Sequence, residues 1–454
     1  MRFKKYLCAI FVSVFSISSF NIARADEGMW TFNNVPRAEI KKRYGFDVTD
    51  AWLKKVQLAS VRFNNGGSGS FVSPDGLVLT NHHIASDTLQ KISSAEKDYI
   101  RDGFYAPTRD KEVKAPDLEL NVLMSIEDVT DRVNRAIKPG SPGAEANTAR
   151  RAEIAAIEKE SLAATGLRSD VVTLYQGGQY NLYRYKKYTD VRLVFAPEFA
   201  IAAFGGDPDN FNFPRYDLDM ALFRVYEEGK PIKVENYFKW SKTGAKPGEL
   251  VFISGHPGST ARLNTVAHLE YLRDMGLPFA LRLRNRQRAL LKKYSAKGEE
   301  QERRAKEEIF VLENALKVYR GQLEGLQDKS LIARKAKAEE ALRHRIAADA
   351  KKQKEYGDAW ENIARGRKAL PTYSREYSLL EGGAGFNAEM FGVARELVRL
   401  AAESAKPDTE RLPEYTEARR ESLELSLFSP APVYDDLEKM KLADSLEFMR
   451  EELG

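Results

Sequence analysis

Two textures divide this chain. Between Asp26 and about Thr265, β-branched and aromatic residues recur in short runs, GSFVSPDGLVLTNHH, YTDVRLVFAP, MALFRVY and ELVFISGHPG, each bounded by Gly, Pro, Asn or Asp. Short apolar runs closed by turn residues predict strands. One stretch from about Ala144 to Thr165, rich in Ala, Glu and Arg, predicts a helix within that region. From Val266 the texture changes to long Ala, Leu, Glu, Lys and Arg stretches with few turn signals. There Ile309, Leu312, Leu316, Tyr319, Leu323 and Leu326 alternate spacings of three and four, which places one apolar stripe on a helix against a partner. The expected fold class is β plus α multidomain: a barrel-rich domain over residues 26–265 with helical inserts, then a mainly α-helical domain over residues 266–454. No internal repeat of fixed period is present, and the one low-complexity linker is the short KPGSPGAEAN segment.

The first residues change the picture of the whole. A basic start (Arg2, Lys4, Lys5), an apolar run from Tyr6 to about Phe20 and small residues at Ala23 and Ala25 read as a secretory signal over residues 1–25, cleaved after Ala25. A retained anchor fits less well, because the apolar run is short and carries serines. The mature protein is expected to be exported, periplasmic or secreted, without a membrane anchor. The chain's single cysteine, Cys8, falls inside the signal, so the mature chain has no thiol for disulfides, thiolate catalysis or cysteine-ligated metal.

A length of 454 residues with 43% hydrophobic residues accommodates two or three folded domains. Lys and Arg number 71 against 66 Asp and Glu, but Arg2, Lys4, Lys5 and Arg24 leave with the signal, so the mature chain is close to neutral. That balance offers no electrostatic case for nucleic acid as a partner.

The stretch Gly66 to Asp87, GGSGSFVSPDGLVLTNHHIASD, carries the first candidate chemistry. A glycine-rich entry leads into a strand, Ser73-Pro74-Asp75-Gly76 makes a turn, and a second strand from Leu77 to Thr80 delivers two histidines at its end. This stretch resembles the first barrel of trypsin-like serine proteases, where such a strand presents the general base, and aligning the pattern puts that role on His83. Neighbours on an extended segment point to opposite sides, so His82 is expected to face away as a structural residue. Zinc is a further reading of a histidine pair, but the chain has no His-Glu-x-x-His motif and its mature part no cysteine, so no metal and no cofactor are expected.

A second stretch, Tyr175 to Tyr226, contains APEFAIAAFGGDPDNFNFPR and ends in Asp219-Met-Ala-Leu-Phe-Arg-Val, an aspartate opening a strand. Alone, Asp219 reads more readily as an ordinary strand-end residue than as a triad member. With the DEGMW start at Asp26, the TNHH motif and the ENALKVYRGQLEGL helix, the chain resembles the bacterial serine dipeptidyl-peptidases, which combine a chymotrypsin-like double barrel with an inserted helical domain. The resemblance spans essentially the whole mature chain. It implies an exopeptidase that removes dipeptides from oligopeptides with a free N-terminus, with Asp219 accepting the Nδ1–H of His83. It also implies that Asn210, Phe211 and Asn314 hold the substrate ammonium, side-chain carbonyls accepting from it and an aromatic face adding cation–π attraction. Relatives of this type further suggest a homodimer.

Three departures from the family pattern stand out. Ile84 replaces a cysteine after the second histidine, and Phe211 replaces a tryptophan. More important, no Gly-x-Ser-Gly turn follows Asp219; Ser254 and Ser259 in FISGHPGST are the nearest serines, the family uses neither, and His256 there is expected to be structural. The chain is therefore expected to be the N-terminal part of such an enzyme, both domains incomplete, and inactive in isolation. Two other readings are a non-catalytic peptide-binding homologue and an HtrA-like serine endopeptidase. The 136 positions between His83 and Asp219 exceed what compact barrels of the latter kind use.

Overall fold

All but one of the strand runs of the first half pair into one antiparallel sheet. In a computed structural model, which describes residues 28–454, β1 (Ser60–Phe63), β2 (Ser68–Phe71) and β3 (Leu77–Thr80) form a meander. The expected signal over residues 1–25 lies outside these residues. In the β2–β3 turn, Ser73 Oγ accepts from the amides of Asp75 and Leu77 at 3.2 and 3.3 Å. Gly76 closes it at φ +65°, where a Cβ would lie 2.7 Å from Ile232 and 3.1 Å from the Val225 carbonyl, so glycine is required both by backbone and by space.

β4 (Phe104–Tyr105), β5 (Val113–Lys114), β6 (Leu120–Asp128), β7 (Arg168–Leu174), β8 (Gln179–Tyr188), β9 (Asp190–Ala196), β10 (Ala221–Glu227) and β11 (Lys230–Pro231) complete the sheet. Its order is β4-β9-β10-β3-β2-β1-β6-β8-β7, with β11 added to β10 and β5 to β9. Alternation along these strands buries Val61, Phe63, Phe71, Val78, Leu120, Val122, Leu193, Phe223 and Val225 in one core.

Helices frame the rest. α1 (His82–Ile92) closes the sheet core with Ala85 and Leu89, which lie four apart on one face. α2 (Gly143–Thr165), where a helix is expected, presents Ile157 to Val129, Val133, Val171, Tyr180 and Leu182. After Val266 the described chain is helical and irregular without strands. There α3 (Leu277–Ser295), α4 (Glu299–Gln327) and α5 (Asp435–Leu453) pack around Leu291, Tyr294, Leu312 and Leu437. Ile309, Leu312 and Leu316 of the expected stripe point into the helical region, the last two buried. The helical region is also tied to the sheet by a polar contact, Ser422 Oγ donating to Oε2 of the buried Glu119 at 2.6 Å.

One expected strand is not formed. Leu250–Ile253 has strand-like composition, yet it is irregular, and Val251, Phe252 and Ile253 are exposed. A strand is defined by a neighbour's backbone, and among the described residues none pairs with this run. Residues 240–253 instead group with residues 28–48 as a small compact unit, separate from the unit formed by 49–239 and 254–454. Within the small unit a helix over Arg37–Tyr44 ends on left-handed Gly45, and Phe46 lies against Phe252 with ring centroids 5.3 Å apart. Among the described residues no helix is long and apolar enough to cross a membrane.

Candidate active site

The site is built where β3 runs into α1. β10 lies antiparallel to β3 with Ala221 opposite Thr80. Continued past the strand ends, this register sets Asp219 beside the first turn of α1. Asn81 is the N-cap residue by position, but its side chain does not cap the helix; its Nδ2 donates to the Asp219 carbonyl at 3.0 Å and to Oδ2 at 3.2 Å. Asp219 does the capping instead, Oδ1 accepting the His83 backbone N–H at 3.1 Å. Its Oδ2 lies 2.7 Å from His83 Nδ1.

The histidine pair is not on an extended segment, as the sequence suggested, but forms the first two residues of α1. The two side chains diverge by the helical angle rather than by strand alternation. His82 shares the inward face with Ala85, Ser86 and Leu89, is buried, and meets Phe199 edge to face at 6.3 Å. His83 faces outward, its side chain 48% exposed against 26% for Asp219.

These settings separate the two imidazoles electrostatically. The Asp219 hydrogen bond raises the His83 pKa above its usual value, against the opposing effect of burial. Burial pushes the other way on His82 and holds it below that value despite the nearby Asp219 charge. For Asp219, burial alone would raise the carboxyl, but its hydrogen bonds and charge interaction with His83 outweigh this and lower it. The pair can thus hold His83 in one tautomer, Nδ1–H toward Asp219, with Nε2 free to take a proton. Among the described residues no hydroxyl is hydrogen-bonded to His83 Nε2.

Asn210 follows a one-turn helix over Gly206–Asp209, and Phe211 comes next at φ +62°, its side chain exposed. Asn210 Nδ2 donates to Asn314 Oδ1 at 2.9 Å, so two residues 104 positions apart meet. The meeting is arranged by α4, whose Lys306, Phe310, Asn314 and Lys317 lie on the face opposite the apolar stripe. Phe310 packs edge to face on Phe199 at 5.5 Å, and the Lys306 ammonium lies over the same ring at 4.8 Å. Lys317 Nζ donates to the Pro208 carbonyl at 3.0 Å and to that of Asp207.

Arg215 is a site residue that sequence reasoning missed, although it closes the NFNFPR run. Its Nη1 donates to Asn210 Oδ1 at 2.9 Å, and its Nε pairs with Asp217 at 2.9 Å. A guanidinium has no acceptor, so it fixes which end of the Asn210 amide is oxygen. Asn210 must then offer its NH₂ to Asn314, which must accept with oxygen. Each carbonyl keeps a second lone pair, and both can accept from an ammonium.

The other candidates lie elsewhere. Ser254 bonds Ser60 Oγ at 2.9 Å, Ser259 is exposed, and the His256 backbone amide donates to Ser68 Oγ at 2.7 Å. The His256 ring lies against Tyr185; burial and the nearby Arg62 charge lower its pKa to about 4. Among the described residues no group of three or more His, Cys, Asp or Glu is placed to hold a metal.

The chain is 32% identical over 320 residues to dipeptidyl-peptidase 7 of Phocaeicola vulgatus, covering 65% of this chain and 44% of that protein. It is 32% identical over 299 residues to the Asp/Glu-specific dipeptidyl-peptidase of Porphyromonas gingivalis, covering 61% of this chain and 42% of that one. It therefore spans less than half the length of these curated relatives. In three dimensions it is similar to Porphyromonas endodontalis DPP11 in complex with the dipeptide Arg-Glu, with a TM-score of 0.72, 24% identity, and coverage of 95% of this chain and 64% of that one. The peptidase S46 family model matches residues 25–454, and the chain belongs to that family.

Proposed function

We propose that this chain provides the base, its orienter and the N-terminus clamp of a serine dipeptidyl-peptidase. The observation that carries this reading is the 2.7 Å contact of His83 Nδ1 with Asp219 Oδ2, which leaves Nε2 turned away from the carboxylate. In the proposed reaction His83 takes the proton of a serine hydroxyl and returns it to the leaving amine, while Asp219 stabilises the imidazolium. The serine and the amides of the oxyanion hole would come from the portion of the relatives that this chain does not span.

Asn210 and Asn314 accept from the substrate's α-ammonium, and the Phe211 ring lies beside it. Helix α4 carries both Asn314 and, two turns earlier, the residue that meets α1. Seven residues of helix rise by about 10 Å, and an extended dipeptide spans about 7 Å from its amine to the scissile carbonyl. A clamp on the free ammonium, carried by the helix that meets α1, favours release of dipeptides over internal cleavage. Division near residue 265 into a barrel domain and a helical domain, a homodimer, and export directed by residues 1–25 belong to the same reading.

The test uses the chain from Asp26 alone and the same chain extended by the serine-bearing segment of a relative. Dipeptidyl fluorogenic amides should be cleaved only by the extended form, and cleavage should vanish with His83→Ala or with an acetylated substrate. Turnover by the unextended chain that persists in His83→Ala would overturn the reading. Binding of free dipeptides with no turnover in any extended form would favour the peptide-binding homologue instead.

A further inference from the structure

Ser86 lies one turn after His83 on α1, and its hydroxyl touches two groups at once. Oγ is 2.9 Å from the His83 backbone carbonyl and 2.7 Å from Glu307 Oε1 on α4. A carbonyl can only accept, and a serine hydroxyl has one proton to give. Both contacts are hydrogen bonds only if Glu307 brings the second proton: Glu307 O–H donates to Ser86 Oγ, and Ser86 O–H donates to the His83 carbonyl. An ionised Glu307 would instead draw the serine proton to itself and release that carbonyl.

The surroundings favour the neutral acid. Glu307 stands on the α4 face that meets α1 and the Phe199 segment. The charged groups facing it from α1 are Asp87, which opposes ionisation, and His83, which promotes it when protonated; His83 in turn faces Asp219 and Arg215. Burial first, then Asp87, raise the Glu307 carboxyl to about 7, against the lowering effect of Ser86 and His83.

We propose that Glu307 is a positioning residue for His83, acting as a neutral acid that donates to Ser86 and so ties the first turn of α1 to the helix that carries Asn314. Its meaning for catalysis rests on the function proposed above, but the contact itself does not. Base and clamp would then be held in register by one helix, with Glu307 and Asn314 on the same face two turns apart. Ionisation of Glu307 would both break the relay and place a negative charge near the imidazole.

The experiment is an NMR titration of the full chain with labelled histidine and glutamate side chains, comparing wild type, Glu307→Gln, Glu307→Leu and Ser86→Ala. The five histidine signals are assigned by single substitution. In the wild type the Glu307 carboxyl should remain protonated at pH 5.5, and the His83 ring should titrate in two coupled steps. In Glu307→Gln and Glu307→Leu the His83 curve should become a single step, displaced to lower pH by about half a unit or more through loss of the negative neighbour. First-turn amides of α1 should keep their exchange protection in Glu307→Gln, which can still donate to Ser86, and lose about tenfold in Glu307→Leu and Ser86→Ala. A Glu307 already ionised at pH 5.5, or a His83 curve identical in wild type and both Glu307 variants, would overturn the proposal. Should the Glu307 variants fail to fold, Ser86→Ala decides: unchanged α1 protection overturns it. None of these readouts needs turnover, so a failed peptidase assay and a failed titration point to different errors.

Discussion

Asp219 holds His83 twice, Oδ2 on the imidazole at 2.7 Å and Oδ1 on the backbone amide at 3.1 Å. The same carboxylate therefore orients the ring and caps the helix on which it stands. If the proposed orienter is also a cap, chemistry is coupled to stability, and the two can be separated by pH. Folded His83 binds its proton more tightly than the usual 6.5, so its contribution is full below about pH 6.5 and is lost as pH rises through the folded value. Folded Asp219 is depressed below 3.8, so its contribution is present above that pH and is lost as pH falls through the folded value.

Asp219→Asn should therefore cost more stability at pH 5 than at pH 8.5. Loss of the charged cap alone should amount to about 1 kcal/mol at either pH, since an amide oxygen can still accept one bond. Urea midpoints at the two pH values measure this, and equal losses would contradict the coupling. In the same variant the His83 ring should titrate at lower pH than in the wild type.

His82 and His83 should fail in opposite ways. His82→Ala empties a buried position against Phe199 and should lower unfolding free energy by about 1–3 kcal/mol. His83→Ala removes an exposed ring and should cost less than about 1 kcal/mol, yet abolish cleavage by an extended, serine-bearing chain. Thermal unfolding and peptidase assays on the two variants check the separation.

Arg215→Met should weaken binding of free dipeptides by about tenfold, equivalent to about 1.4 kcal/mol. With the guanidinium gone, the Asn210 amide can turn its NH₂ toward an ammonium it should accept from. Binding of N-acetylated dipeptides should change little. Calorimetric titration with both ligands tests this; equal losses for the two would assign Arg215 a merely structural role.

Glu119 is fully buried among Arg168, Asn121 and Ser422. Arg168→Met should destabilise the chain by about 3–5 kcal/mol, because it strands a buried carboxylate in place of a pair. The double variant with Glu119→Leu should recover much of that loss. Guanidinium unfolding curves provide the comparison.

Much of the site could be read from local sequence. The HH pair, the aspartate before an apolar strand, and the asparagine-aromatic motif are contiguous patterns, so His83, Asp219 and Asn210 could be singled out one by one. The α2 and α4 helices were equally legible, α2 from its Ala, Glu and Arg content and α4 from an apolar stripe at spacings of three and four, which reflects helix geometry alone. A signal for α1 was present too: Ala85, Ser86 and Leu89 repeat at helical spacing after the histidines, but the strong strand pattern just before them masked it. Composition misled at Leu250–Ile253, where a strand also needs a partner's backbone.

The sequence by itself determined most of the element types, the absence of thiol chemistry beyond Cys8, and a short set of chemically able residues. Tertiary structure decided which of them meet. The register of β10 on β3 carries Asp219 to the first turn of α1, and the packing of α4 carries Asn314 to Asn210 and Glu307 to Ser86. Arg215, Ser86 and Glu307 gain their significance only there, because a hydrogen-bond relay depends on which donors and acceptors are brought within about 3 Å of each other. Local sequence sets what each residue can donate or accept; only the fold sets to whom.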